Sequence, residues 1–98
     1  MSTAHVDPQK VLVYSDIMRK KQQKLIALGQ RIRKIREHQG FSQEAFAEEA
    51  GISRSHYGCI ERGQFTLSLP KLIDIVLALN VEVGELFPSL AELKKMNE

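Results

Sequence analysis

The chain has 98 residues, a mass of 11.1 kDa and a 43% hydrophobic content, which fits one small domain with a packed core and excludes both two domains and a disordered protein. The formal charge of +2 hides an asymmetry: residues 1–39 hold nine Lys/Arg against three Asp/Glu (+6), and residues 40–98 hold five against nine (−4). A basic half of this kind suits nucleic acid, an anionic membrane or an acidic partner, and leaves the bulk charge uninformative.

Strand signals are nearly absent, since β-branched residues are scattered and no Asn-Gly or Asp-Gly turn occurs; helical spacing recurs, so the fold class is all-α. Asp7-Pro8 reads as an N-cap and first helical residue, because the N–H that Pro lacks would be unpaired in a first turn anyway. Apolar residues then fall at Val11, Tyr14, Met18, Leu25, Leu28, Ile32 and Ile35, on a three/four spacing interrupted at Lys21. Two readings follow: one helix from Pro8 to about Gln39, or a break within Arg19–Lys24, and the break is preferred. It divides the chain into an N-terminal helical extension (1–24), a central domain (25–87) and a C-terminal helix (88–98).

Gly40 is suited to end the first long helix. Ser42 caps a short helix, Gln43 to Ala50, with Glu44 in its first turn where it complements the helix dipole. Gly51 ends that helix, Ser53 caps the next, Arg54 to Arg62, and Gly63 ends it. A loop, Gln64 to Ser68, leads to an apolar helix from Pro70 to Leu79, closed by Asn80. A turn, Val83 to Phe87, and a last helix, Leu90 to about Met96 capped by Ser89, complete the chain.

The two short helices joined by Gly51-Ile52-Ser53 cannot lie antiparallel across so tight a turn. They cross steeply, as in a helix-turn-helix, which can push its second helix into a DNA major groove about one helix wide. The residues that fit this pattern keep their spacing over a long stretch: Leu28-Gly29-Gln30-Arg31-Ile32-Arg33, Gly40-Phe41-Ser42-Gln43-Glu44, Ala47, Ala50-Gly51-Ile52-Ser53, Ile60-Glu61-Arg62-Gly63, Ser68-Leu69 and Glu85-Leu86-Phe87. From Leu28 to Phe87, about 60 of the 98 residues, the chain resembles the phage repressor/Cro-type (XRE family) helix-turn-helix domain. The stretch from Ile60 to Leu69 is also similar to controller proteins of restriction–modification systems.

The resemblance implies a five-helix, lambda-repressor-like domain, here with an extra N-terminal helix and a short C-terminal helix. It implies a sequence-specific transcriptional regulator that binds double-stranded DNA as a homodimer on a pseudo-palindromic operator, with half-sites about one turn apart. Arg54, Ser55 and Cys59 occupy base-facing positions, and Arg54 is the best candidate for specificity because a guanidinium can bond guanine O6 and N7 together. Gln43, Ser53, His56, Arg62 and Gln64 occupy backbone-contacting positions. Gln43 would also brace the recognition helix. Arg36 and Glu61 match positions that pair between helix 1 and helix 3, so both read as structural. Tyr57 stands where the family usually has an aliphatic residue and is expected to turn inward with its hydroxyl reaching the surface. Gly58 stands where Ser is common. It either lets the backbone approach DNA or removes a contact that relatives make.

Leu79, Val83, Leu86, Phe87 and Leu90 cluster towards the C-terminus and are expected to form a two-fold interface. In the N-terminal extension, the stripe Val11, Tyr14 and Met18 is open to packing on the domain, to extending the dimer or to a protein partner, and the cations Arg19, Lys20, Lys21 and Lys24 are open to phosphates. An antitoxin built on the same scaffold is the alternative function. No enzyme is expected, because no nucleophile elbow or Gly-rich phosphate loop is present. No cofactor or metal is expected either, since His5, His38 and His56 are far apart and Cys59 is the single cysteine, which also excludes an intramolecular disulfide and suits a reducing cytosol. No apolar run marks a signal peptide or a membrane span, so the expected location is cytoplasmic.

Overall fold

Six helices and no strand make up the described residues: α1 (Pro8–His38), α2 (Gln43–Ala50), α3 (Arg54–Glu61), α4 (Leu69–Leu79), α5 (Val83–Leu86) and α6 (Leu90–Met96). The computed structural model describes residues 8–64 and 67–98, with side chains from residue 13 onward outside that gap. The expected Asp7 cap, His5 and the side chain of Val11 lie outside the described residues.

α1 is one continuous helix of 31 residues, about 46 Å long at ~1.5 Å per residue. This corrects the preferred break within Arg19–Lys24, and with it the expectation of a separate N-terminal helix: the extension is the first half of α1. The reason is physical. The stretch holds good helix formers and no Gly or Pro, and Asp16 pairs with Arg19 at 2.5 Å and Lys20 at 3.3 Å across one turn. The apolar spacing fails at Lys21 because that position is exposed, and burial is not what holds a helical backbone together. Val13, Tyr14, Ile17 and Met18 accordingly stand exposed, whereas Ile32, on the same stripe, is fully buried.

The caps set the remaining boundaries. The Ser42 hydroxyl accepts from the Ala45 N–H at 3.0 Å, and Ser53 accepts from the His56 N–H at 3.3 Å. Between them Gly51 takes a left-handed conformation, φ +71°, that lets the chain turn at once from α2 into α3. α3 closes at Glu61, with Arg62 as its C-cap rather than its last residue. Ser68 caps α4 and draws its start back to Leu69, ahead of Pro70. The expected turn at Val83 to Phe87 is a one-turn helix, bounded by reciprocal bonds between Glu82 and Glu85. α6 has the expected bounds and a Ser89–Glu92 capping box.

The core is Ile32, Phe46, Ala47, Ala50, Ile52, Tyr57, Ile60, Ile75, Leu79 and Leu86. The Phe46 ring meets Phe41 edge-on at 5.4 Å and Tyr57 at 5.2 Å. α1 packs on α3, α5 and α6, and α2 packs on α3 and α4. The closest approach lies between α1 and the end of α3. A Cβ on Gly29 would stand 2.4 Å from the Glu61 carbonyl oxygen, and one on Gly63 would stand 2.6 Å from the Ile26 Cα. Backbone meets backbone at both points, so these glycines fix how deeply α3 seats on α1.

Candidate nucleic-acid interface

α3 has a buried side that fixes it and an exposed side that can read DNA. On the buried side, Glu61 is the hub. Its carboxylate accepts from Arg36 Nε at 2.6 Å and Arg36 Nη2 at 3.1 Å, from Gln43 Nε2 at 3.1 Å, and from the Tyr57 hydroxyl. Arg36 also donates to the Phe41 carbonyl at 2.7 Å. Arg36 and Glu61 are buried, at 6% and 5% exposure. Burial pushes the Glu61 carboxyl up, but the hydrogen bonds from Arg36, Tyr57 and Gln43 together outweigh it, and the acid ends below its ordinary 4.5. Burial, then the neighbouring Glu61 carboxylate, push the Tyr57 phenol well above its ordinary range.

This network ties α1, α2 and α3 together at one point. The expected Arg36–Glu61 pairing is present in the geometry, and Gln43 braces α3 through Glu61. Tyr57 turns inward as expected, but its hydroxyl does not reach the surface: the residue is fully buried and the hydroxyl donates a hydrogen bond to Glu61. An aliphatic residue has no such group. The signal for the Tyr57 link in the sequence is the four-residue spacing from Tyr57 to Glu61, which puts both on one helical face.

On the exposed side, Gln43, Arg54, Ser55, Gly58, Cys59 and Arg62 surround one shallow depression of about 360 Å³. Arg54 and Ser55 are exposed at its rim. The Arg54 guanidinium lies 3.7 Å from Glu44, and both side chains are largely in solvent. Arg62 folds back over α3, donating to Gln64 Oε1 at 3.0 Å and to the Cys59 sulfur at 3.4 Å. Gly58 makes room for it: a Cβ there would meet Arg62 Nη1 at 3.1 Å and Gln43 Oε1 at 3.5 Å. The space left by the missing side chain is therefore taken up by Arg62. Ser53 is exposed and His56 and Cys59 are half-buried.

The apolar residues expected at a two-fold interface separate into two groups. Leu79 and Leu86 are buried in the domain's own core, at 1% and 0% exposure, which corrects their assignment to a surface. Val83, Phe87 and Leu90 are exposed, and so are Leu69, Ile73 and Leu77 on one side of α4. The α4 residues were missed, although a helix this apolar has more hydrophobic residues than one face can bury. Among the described residues no three potential metal ligands converge, and no helix is long and apolar enough to cross a membrane.

Comparison with known proteins agrees with this geometry. Residues 32–86, more than half of the chain, match the helix-turn-helix family HTH_3. The chain is 43% identical over 60 residues to the uncharacterized HTH-type transcriptional regulator YazB of Bacillus subtilis (strain 168), covering 61% of this chain and 87% of that protein. It is 35% identical over 66 residues to the control protein C.MunI of a Mycoplasma species, covering 66% and 89%. The crystal structure of the restriction–modification controller protein C.AhdI from Aeromonas hydrophila superposes with a TM-score of 0.63 at 43% identity, over 64% of this chain and 96% of that one. The helix-turn-helix geometry, the family match and these relatives lead to one conclusion: the chain belongs to the XRE-type helix-turn-helix family of DNA-binding transcriptional regulators.

Proposed function

We propose that this regulator acts as a homodimer on a pseudo-palindromic operator, each copy placing the exposed side of α3 in a major groove. The observation that carries the reading is the two-sided construction of α3. Its inner side is locked by Glu61 to two other helices, and Arg54 and Ser55 stand free of the core at its N-terminal end. Arg54 reads guanine. Leaving Glu44 costs little, since exposed ion pairs are worth ~0–1 kcal/mol, against ~1–3 kcal/mol of discrimination from a bidentate guanine contact. Ser55 and Cys59 line the same surface and meet neighbouring base edges. Gln43, Ser53, His56, Arg62 and Gln64 position the domain on phosphates.

Val83, Phe87 and Leu90 supply the apolar contact between copies. Controller proteins such as C.MunI and C.AhdI, similar over most of their own length, favour a controller of a restriction–modification operon over an antitoxin. A nuclease footprint on the DNA upstream of the chain's own gene tests the reading. Two protected half-sites, centred about one turn apart, support it; a single half-site or no protection contradicts it. A restriction gene beside this one supports the controller form, and a toxin gene contradicts it.

A further inference from the structure

The exposed side of α3 is poor in charge for a surface that must hold a polyanion. Its cations are Arg54 and Arg62, and Arg54 faces Glu44 at 3.7 Å. The acids Glu44, Glu48 and Glu49 stand exposed on the neighbouring α2. Phosphate contacts supply most of the salt-dependent affinity in DNA complexes, so two cations per domain are few.

The missing charge stands on the first half of α1. Between residues 13 and 24 there are four cations, Arg19, Lys20, Lys21 and Lys24, and one acid, Asp16. Asp16 is occupied by Arg19 and Lys20. Lys21 has no carboxylate partner among the described residues, and Lys24 donates to a neutral group, Asn97 Oδ1, at 2.5 Å. Both lysines lie on the walls of a groove of about 530 Å³, whose other wall is Gly63 and Gln64. That wall is the turn following α3, immediately beyond Arg62. The Gly63–Ile26 backbone contact fixes the spacing, so the lysines cannot swing away from the end of α3 as a unit. Continuity of α1 makes this surface rigid: a break within Arg19–Lys24 would have left the lysines on a separate piece.

We propose that Lys21 and Lys24 form, with Arg62 and Gln64, a continuous phosphate-binding ridge that tracks the DNA backbone outside the bases read by α3. The half-site is thereby lengthened on its flank. The ridge rests on the proposal that α3 enters the major groove, and it adds a flanking contact to that reading. The groove walls carry two cations and no acid, and one wall is the turn directly beyond Arg62, so the proposed phosphate path along α3 leads onto them and DNA is the occupant argued here.

The test is the salt dependence of binding by the full chain, measured by fluorescence anisotropy on a long duplex and on one trimmed to the bases read by α3, as mapped by base substitution. Each phosphate contact contributes about 0.9 to the slope of log K against log salt. Lys21→Gln/Lys24→Gln removes two contacts from each copy of the dimer and is expected to flatten the slope by about 3.6 on the long duplex, so that between 50 and 200 mM salt the native chain loses about 150-fold more affinity than the variant. On the trimmed duplex the two proteins are expected to show equal slopes. Arg33→Gln/Lys34→Gln, which removes the same charge from the far end of α1, is expected to leave the slope unchanged on either duplex. An unaltered slope for Lys21→Gln/Lys24→Gln overturns the ridge. So does an equal loss in both double variants, which would indicate only a general field. A change in the sedimenting mass of Lys21→Gln/Lys24→Gln without a change in slope assigns the groove to a protein contact and also overturns it. If Arg54→Ala still abolishes sequence preference in these cases, the placement of α3 stands and the ridge alone fails.

Discussion

Replacing Glu61 by Ala removes the acceptor on which three helices converge. Arg36 is then left buried with its charge opposed by no carboxylate, keeping its bond to the Phe41 carbonyl. The Tyr57 hydroxyl and Gln43 Nε2 lose their partner in the same step. Stranding one member of a buried ion pair costs about 3–5 kcal/mol. A domain of this size loses about 4–8 °C of melting temperature per kcal/mol, so Glu61→Ala is expected to melt at least about 12 °C lower. Circular dichroism melts in the absence of DNA measure this directly. Arg36→Met/Glu61→Gln separates the stranded charge from general disruption. The Gln amide can still meet Tyr57 and Gln43, and no buried cation remains, so this double variant is expected to melt above Glu61→Ala. A Glu61→Ala melt within 2 °C of the native chain, on the ~4–8 °C per kcal/mol scale a negligible change, refutes the assignment of Glu61 as the hub. A double variant no more stable than Glu61→Ala refutes the stranded charge as the cause.

Gly29→Ala sets a helix-propensity gain of ~1 kcal/mol against overpacking of ~1–3 kcal/mol. The new Cβ would stand 2.4 Å from a backbone oxygen that cannot give way, so a lower melting temperature is expected; a higher one would show that α1 and α3 do not meet so closely. The pH dependence follows from Glu61, whose folded pKa lies below its ordinary 4.5. Its stabilisation is complete above that value and is lost as pH falls through the lower folded pKa. Below pH 4.5 the native chain is therefore expected to lose stability more steeply than Glu61→Gln, and parallel melting curves would count against the shift. Val83→Lys/Phe87→Lys places charge on the exposed C-terminal apolar residues, and sedimentation is expected to show a dimer for the native chain and a monomer for the variant. A native monomer at high concentration contradicts the two-fold interface.

Much of this molecule is legible in its sequence, and the parts that are not share a cause. Helix starts marked by a side chain that bonds its own backbone, Ser42, Ser53 and Ser89, lie where those residues put them, whereas Ser68, read as loop, caps α4 one residue ahead of the expected Pro70. The Arg36–Glu61 pair follows from motif position. What sequence spacing does not carry is which apolar residue faces which way once five helices, α1 to α5, share one core. Leu79 and Leu86 look like surplus hydrophobics in a list, yet both are fully enclosed, and Leu77 and Ile73, two and six residues before Leu79, face solvent. The continuity of α1 was hidden for a related reason. Lys21 interrupts the apolar stripe, but the stripe reports what packs on the helix and the backbone continues without it. Gly58 and Gly29 are glycines in helices, indistinguishable in propensity, and only tertiary contact shows that one makes room for Arg62 and the other for the backbone of α3.

The placement of α3 in the major groove is tested most directly by the sequence preference of Arg54→Ala. Binding to the footprinted duplex and to a scrambled duplex of equal length is compared at one salt concentration for the native chain and the variant. Loss of a bidentate guanine contact in each half-site is expected to lower the specific-to-scrambled ratio by roughly 5- to 140-fold per half-site, corresponding to ~1–3 kcal/mol apiece, with little change on scrambled DNA. An unchanged ratio, or an equal loss on both duplexes, would contradict the reading of α3 as the recognition helix with Arg54 at its reading end.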